Sequence, residues 1–341
     1  MATIDYKHNS LDFLRLFAAL QVLLGHYYLF YRGLPQNPIP LMNWFPGVLI
    51  FFTISGFLVC ASLEHSKNPI EYLKKRFIRI LPPYWICVIL NAAVILIIYP
   101  VYPSLKDSVI FCLTTIFAFH VTPNYLSGYA SGSINGSLWS IFVILQFYVV
   151  IMLIHPVIKK WNQLKYLLLI AFFMLINILC GYLSRFVLPE TLSSLMGRTF
   201  IPYFYIVLIG TYLFTFRDKV IPILVKYWYL ITGIYLAGCL FNVQGYLTIW
   251  FYCDPFTGIF VSLITFALAY RLGAHRIKYD FSYGIFLYHF AVMNVLIHFQ
   301  FSKDSSFVLV ILLLVSCLLT GLSLFFIEKP MESLLKRKSR I

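Results

Sequence analysis

The strongest constraint on this chain is a rhythm of apolar runs. Stretches of roughly 17 to 25 residues, nearly free of charge, recur along its length, and a helix of that size crosses about 30 Å of hydrocarbon. One soluble core cannot absorb them. Of the 341 residues, 61% are hydrophobic and 11% are charged, with mean hydropathy +0.86, whereas soluble domains are nearer half apolar and a quarter charged. In lipid the backbone must satisfy itself, so only helices and closed barrels span, and a barrel would show short alternating segments. The sequence therefore predicts an all-α, polytopic transmembrane bundle.

Spans are expected near 12–31, 47–63, 79–100, 137–158, 164–186, 200–216, 227–243, 256–272, 281–300 and 306–327. That makes about ten spanning helices in a single integral membrane domain, 1–341. The apolar piece 107–120 is too short to cross and is expected to be re-entrant or tucked into the bundle.

The net charge of +14 invites a nucleic-acid reading, but Lys and Arg cluster between the apolar runs, as in cytoplasmic loops. No nucleic-acid partner is expected. If 107–120 does not cross, segments 1–15, 64–79, 159–165, 217–226, 271–278 and 328–341 fall inside and hold 21 of the 26 Lys and Arg. Only Arg32, Lys106, Arg185, Arg198 and Lys303 remain outside. The positive-inside rule then puts both termini in the cytoplasm, with the tail "KPMESLLKRKSRI" as a basic anchor. The seven cysteines are scattered without a CxxC, so neither a disulfide framework nor a metal site is expected. The first run is too long for a signal-peptide core and lacks a cleavage site, so it reads as a retained helix.

That first run, "LDFLRLFAALQVLLGHYYLFY", carries Asp12, Arg15 and His26. Eleven helical steps return to within about 20° of three full turns, so Arg15 and His26 share one stripe, roughly 16 Å apart along the axis. Asp12 precedes Arg15 by three residues, a spacing that permits an ion pair. An acid at a helix start and a snorkelling Arg are equally ordinary at an interface. His26 is different: it falls past the membrane midplane, where an ionisable group marks a cavity or a function.

The residues also resemble a known family. "LDFLRLFAALQVLLGH" is similar to the opening motif of the membrane acyltransferase 3 family. "GVLIFFTISGF" (47–57) resembles its second-helix motif, and "RFIRILPPY" (76–84) its Arg-x-x-Arg loop followed by Pro and Tyr. "GSLWSIFVILQFY" (136–148), "DFSYGIFLYHF" (280–290) and "FIEKP" (326–330) resemble its later segments in the same order. The resemblance implies an integral membrane O-acyltransferase that uses cytoplasmic acetyl-CoA to modify a hydroxyl of a cell-surface glycan or lipid-linked saccharide. It also implies a multi-pass protein of the bacterial inner membrane. Many members carry a fused SGNH domain, and this sequence resembles the stand-alone type.

Acetyl transfer needs a base for the hydroxyl proton and charge stabilisation at the carbonyl oxygen. His26 is the expected base, and an acetyl-imidazole intermediate is a second route. Arg15 is expected to guide or stabilise, with Asp12 beside it. Arg76 and Arg79, three apart and preceded by Lys74 and Lys75, are expected to bind the phosphates of CoA through their guanidinium forks. Ser55 is assigned to the donor site, while close packing by small residues explains "TISGF" equally well. Ser137 suits a helix N-cap and Trp139 an interfacial anchor. Asp280 and Ser282 both suit the cap of the span that follows. Glu328, at a helix end the dipole disfavours, needs a cation. His289 reads either as a packed interior His or as a tunnel-lining one.

One position departs from the family pattern. Where the family usually reads Trp-Ser-Leu-x-x-Glu, this chain has "WSIFVI", with Ile144 in the acid's place. That keeps a catalytically silent family member open as an alternative. A transporter or flippase is the other alternative, although neither inverted repeats nor matched broken helices are visible.

Overall fold

A computed structural model describes residues 5, 8–34, 36–101, 103–119, 121–275, 277–302, 306–331 and 333. Lys303, His120 and the tail from 334 onward lie outside the described residues. The described residues are helical without any strand. The α-helices are α1 (Leu11–His26), α2 (Pro40–Trp44), α3 (Gly47–Glu64), α4 (Pro69–Ile98), α5 (Leu105–Ile116), α6 (Trp139–Ile158), α7 (Gln163–Phe186), α8 (Glu190–Met196), α9 (Phe204–Thr215), α10 (Arg217–Lys226), α11 (Trp228–Leu240), α12 (Val243–Leu247), α13 (Pro255–Arg271), α14 (Ser282–His298) and α15 (Ser306–Ser323). π-helical turns extend α1 over Tyr27–Tyr31 and α15 over Leu324–Glu328.

Each expected apolar run is a helix, while the expected count of about ten spans is not confirmed. Among the described residues, six helical segments are long and apolar enough to cross a membrane, or up to eight if each of two bent pairs is one span. The pairs are Glu190–Met196 with Ile201–Thr215, bent by 54°, and Arg217–Lys226 with Trp228–Leu240, bent by 67°. The last two apolar runs make 17-residue helices, α13 and α14. Segment 107–120 holds a short helix, α5, of 12 residues, about 18 Å. None of the helix residues is fully buried, but Phe111 packs against the cluster of Ile95, Leu126, Tyr129 and Ile134. Residues 217–226 form a helix rather than a connection, and α4 starts at Pro69 rather than near 79. Arg76 and Arg79 therefore both lie within the helix, near its start.

The side-chain pattern of α7 is that of a helix in hydrocarbon. Leu164, Leu168, Phe172, Leu175, Leu179 and Tyr182 lie exposed along one stripe, while the buried side holds Asn177, Gly181 and Ser184 with Tyr166 and Ile170. Water would not tolerate that stripe, and lipid does.

The chain divides into two compact units. The first comprises residues 1–18, 44–73 and 143–278, and the second 19–43, 74–142 and 279–341. In the first, α3 and α9 approach until backbone meets backbone. A Cβ on Gly56 would overlap the Val207 carbonyl, and one on Gly210 the Thr53 carbonyl. The small-residue explanation of "TISGF" thus holds for Gly56. The bend between α8 and α9 frees backbone groups that a spanning segment must satisfy. Gln146 does part of this, donating from Nε2 to the Arg198 carbonyl at 2.8 Å and accepting from Phe200 N–H at 3.0 Å. Asn177 Nδ2 donates to the Pro202 carbonyl at 2.7 Å.

In the second unit, α14 is the central element. Tyr283 Oη donates to the Ile80 carbonyl of α4 at 2.7 Å, beside Pro82 and Pro83 inside that helix. The loop before α6 is tied to α14 as well. Asn294 Nδ2 donates to the Ser133 and Ile134 carbonyls, and Ser137 Oγ is 2.6 Å from Asn135 Oδ1 and 3.1 Å from the Phe286 carbonyl. Ser137 is thus a tie between segments and not the cap of α6, which begins at Trp139. Asp280 accepts from the Ser282 N–H and hydroxyl just before α14, whose N-cap residue is Phe281 rather than Asp280 or Ser282.

Candidate active site

His26 ends the regular part of α1, and the π turn begins with the next residue. There Arg32 N–H reaches the Tyr27 carbonyl at 3.0 Å, the five-residue spacing of a π-helix. Such single wide turns recur at functional sites because they re-aim side chains without ending the helix. His26 Nδ1 lies 2.8 Å from Nε2 of His289 on α14. The ring planes are 9° apart and the centroids 5.2 Å apart, which fits two imidazoles lying edge to edge around the N···N contact. On its other side, His289 Nδ1 lies 2.8 Å from the Ile285 carbonyl, one turn back in its own helix.

Aromatic rings wall this pair. Phe290 meets His26 edge-on at 5.1 Å, and Phe30 lies 5.8 Å from it. Phe290 keeps that place because residue 136 is Gly, whose added Cβ would stand 2.7 Å from the ring. His289 is 0% exposed, whereas His26 is only partly buried. One imidazole of the pair is thus partly accessible and the other is enclosed.

The other expected site residues are placed as follows. Arg15 pairs with Asp12 at 3.3 Å, as the spacing predicts, with Arg15 at 13% and Asp12 at 41% side-chain exposure. Both belong to the first unit, although α1 continues into the second at His26. Arg79 forms an ion pair with Asp280 at 3.5 Å and remains 45% exposed. His289 lies seven residues, about 10 Å, along α14 from Ser282. One helix of the second unit therefore begins beside the partner of Arg79 and carries the partner of His26 at mid-length. Arg76 is half-buried on α4, three residues before Arg79. Ser55 is half-buried on α3 beside Gly56, and Ile144 is half-buried on α6. Next to Glu328, Lys329 Nζ lies 4.0 Å from the ring centroids of Tyr279 and Phe325.

The pairing of His289 with His26 is the feature that sequence reasoning left undecided. The two residues are 263 positions apart, and neither motif says which ring it faces. The role of Gly136 was likewise invisible, since a turn glycine carries no mark of the ring that packs against it.

Comparison with known proteins places the chain in a class. A family model described as an acyltransferase domain matches residues 8–326, and the chain belongs to that family. It is a multi-pass membrane acyltransferase. Its relatives include nodulation protein 10 of Rhizobium leguminosarum bv. viciae, 27% identical over 324 residues, covering 85% of this chain and 84% of the relative. They also include an O-acetyl transferase of Shigella phage Sf6, 27% identical over 314 residues, covering 86% and 87%. No solved structure matches the chain significantly.

Proposed function

We propose that this protein transfers an acetyl group from acetyl-CoA to a hydroxyl of an extracytoplasmic glycan or lipid-linked saccharide. His26 acts as the base or the acyl carrier. The observation that carries the reading is the histidine pair: a partly accessible imidazole, hydrogen-bonded to a fully buried one, deep in helices of a membrane acyltransferase. The printed name of the phage relative, an O-acetyl transferase, agrees with an oxygen acceptor.

In this reading both termini are cytoplasmic and the membrane is the bacterial inner one, with about ten crossings once α13 and α14 are counted. The phosphates of CoA bind at Arg76 and Arg79, near the start of α4. Arg79 keeps most of its five N–H donors for an anion while it holds Asp280. The acyl arm extends toward His26, with Ser55 as a further donor contact. Arg15, held by Asp12, stabilises charge near the donor. The acceptor hydroxyl reaches His26 from outside. The arrangement needs no metal.

The test is transfer of labelled acetyl from acetyl-CoA into glycan of membranes carrying the full chain. Wild type transfers label, and a protein that transfers none to any membrane glycan is not this enzyme. One observation favours the silent-member reading: Ile144 stands where the family pattern has an acid. If Ile144→Glu raises transfer by tenfold or more, the natural site is crippled. An unchanged rate makes the acid dispensable here.

A further inference from the structure

The two imidazoles have four ring nitrogens, and their partners assign the hydrogens. His289 Nδ1 lies 2.8 Å from the Ile285 carbonyl oxygen. A carbonyl only accepts, so this nitrogen carries a hydrogen. A neutral imidazole carries one N–H, so His289 Nε2 presents a lone pair. That lone pair lies 2.8 Å from His26 Nδ1, so His26 Nδ1 must be the donor. One nitrogen remains, His26 Nε2, and it holds the pair's available lone pair.

The opposite assignment requires His289 to be doubly protonated. Its side chain is 0% exposed. Among the described residues, the groups facing the two rings are each other, the backbone of Ile285 and Phe286, and the rings of Phe30, Phe286 and Phe290. None of these is a carboxylate, and an unpaired cation in such surroundings is strongly disfavoured. The neutral pair is therefore the stable state.

We infer that His289 is a positioning residue that fixes His26 in the Nδ1–H tautomer and so makes His26 Nε2 the reactive nitrogen. The inference rests on the proposed transfer by His26. In that step, His26 Nε2 takes the proton of the acceptor hydroxyl. The hydroxyl oxygen bonds to the thioester carbonyl carbon, the carbon–sulfur bond breaks, and the departing thiolate recovers the proton from Nε2. His289 gains and loses no proton. It accepts a stronger hydrogen bond while His26 is an imidazolium. In hydrolases built on a Ser–His pair, a carboxylate holds the His tautomer in this way. Here a neutral imidazole does so, in a chain whose family acid position is Ile144.

The experiment compares His289→Ala, His289→Gln and His26→Ala in membranes carrying the full chain, with labelled acetyl-CoA as donor. His289→Ala should lower kcat about 100-fold, within the usual range for losing a positioned base, while KM for acetyl-CoA stays within about threefold. His289→Gln can still accept from His26 and donate to Ile285, and should stay within about tenfold of wild type. In the His26→Ala background the His289→Ala loss should vanish, because the two act as a unit. Wild-type kcat in His289→Ala overturns the inference. So does a Gln variant no better than Ala at unchanged KM, or additive losses in the double variant.

Solid-state 15N NMR of the histidine-labelled wild type gives an arm free of catalysis. It should show His26 protonated at Nδ1 and bare at Nε2, and the reverse pattern overturns the assignment. If wild-type membranes transfer no acetyl, the acyl-CoA reading fails, and the NMR pattern alone decides the tautomer.

Discussion

The α3–α9 contact of the first unit and the His26–His289 contact of the second are both close approaches in an apolar setting, built in opposite ways. Between α3 and α9 the side chain is deleted: Gly56 and Gly210 admit the backbones of Val207 and Thr53. Between α1 and α14 side chains are interposed, and two imidazoles meet at 2.8 Å inside a wall of phenylalanines. In lipid the hydrophobic effect does not drive helices together, so close packing and buried hydrogen bonds remain to do it. The first contact uses packing and offers no proton. The second uses a hydrogen bond and leaves one ring nitrogen, His26 Nε2, outside that bond.

The comparison can be broken by separating activity from stability. His26→Ala should lower acetyl transfer about 1,000-fold at unchanged acetyl-CoA binding, a far larger loss than the about 1 to 3 kcal/mol of stability that stranding the buried His289 nitrogen costs. Retained transfer would remove the histidine from the mechanism. Gly210→Val should do the reverse, destabilising the fold by about 3 kcal/mol through overpacking against the Thr53 carbonyl. That loss should appear as a lower Tm, and an unchanged Tm would mean the helices can part at little cost.

Smaller changes sharpen the contrast. Gln146→Leu strands the Arg198 and Phe200 backbone groups at the α8–α9 bend and should destabilise by about 2 kcal/mol, again read as Tm. Arg79→Ala should raise the KM for acetyl-CoA about tenfold, in proportion to one lost charged hydrogen bond, with kcat little changed. An unaltered KM takes Arg79 out of the donor site. Ser55→Ala should raise that KM about threefold, as for a single neutral hydrogen bond, and leave Tm within error. No change in KM would leave Ser55 to packing alone.

Much of this was legible beforehand, and the particular residues show why. The bounds of α3 and α7 follow from where apolar runs start and stop. The Asp12–Arg15 pair follows from a spacing of three on one helix. Other features differ from the expectation. The span holding Arg76 and Arg79 is expected to begin near 79, yet α4 starts at Pro69 and carries both near its beginning. Segment 107–120 reads as re-entrant or tucked into the bundle because it is too short to cross; its length fits a 12-residue helix, whose residues are not fully buried. Ser137 was matched to the nearest helix start, but its hydroxyl bonds Asn135 and the carbonyl of Phe286.

What the sequence determined by itself was local: helices, their lengths, the membrane as their solvent, the charged residues along the first helix, and the family motifs. These depend on hydrogen bonds four residues long and on the thickness of hydrocarbon, and both are written in short windows of chain. The tertiary structure alone decided the partners. It set His289 against His26 across 263 residues, Gly136 beneath Phe290, Gly56 against Val207 and Gln146 across a helix break. A buried polar group or a bare glycine declares in sequence that it needs a neighbour. Only the packing of distant faces, where every hydrogen bond must be made without water, says which neighbour it has.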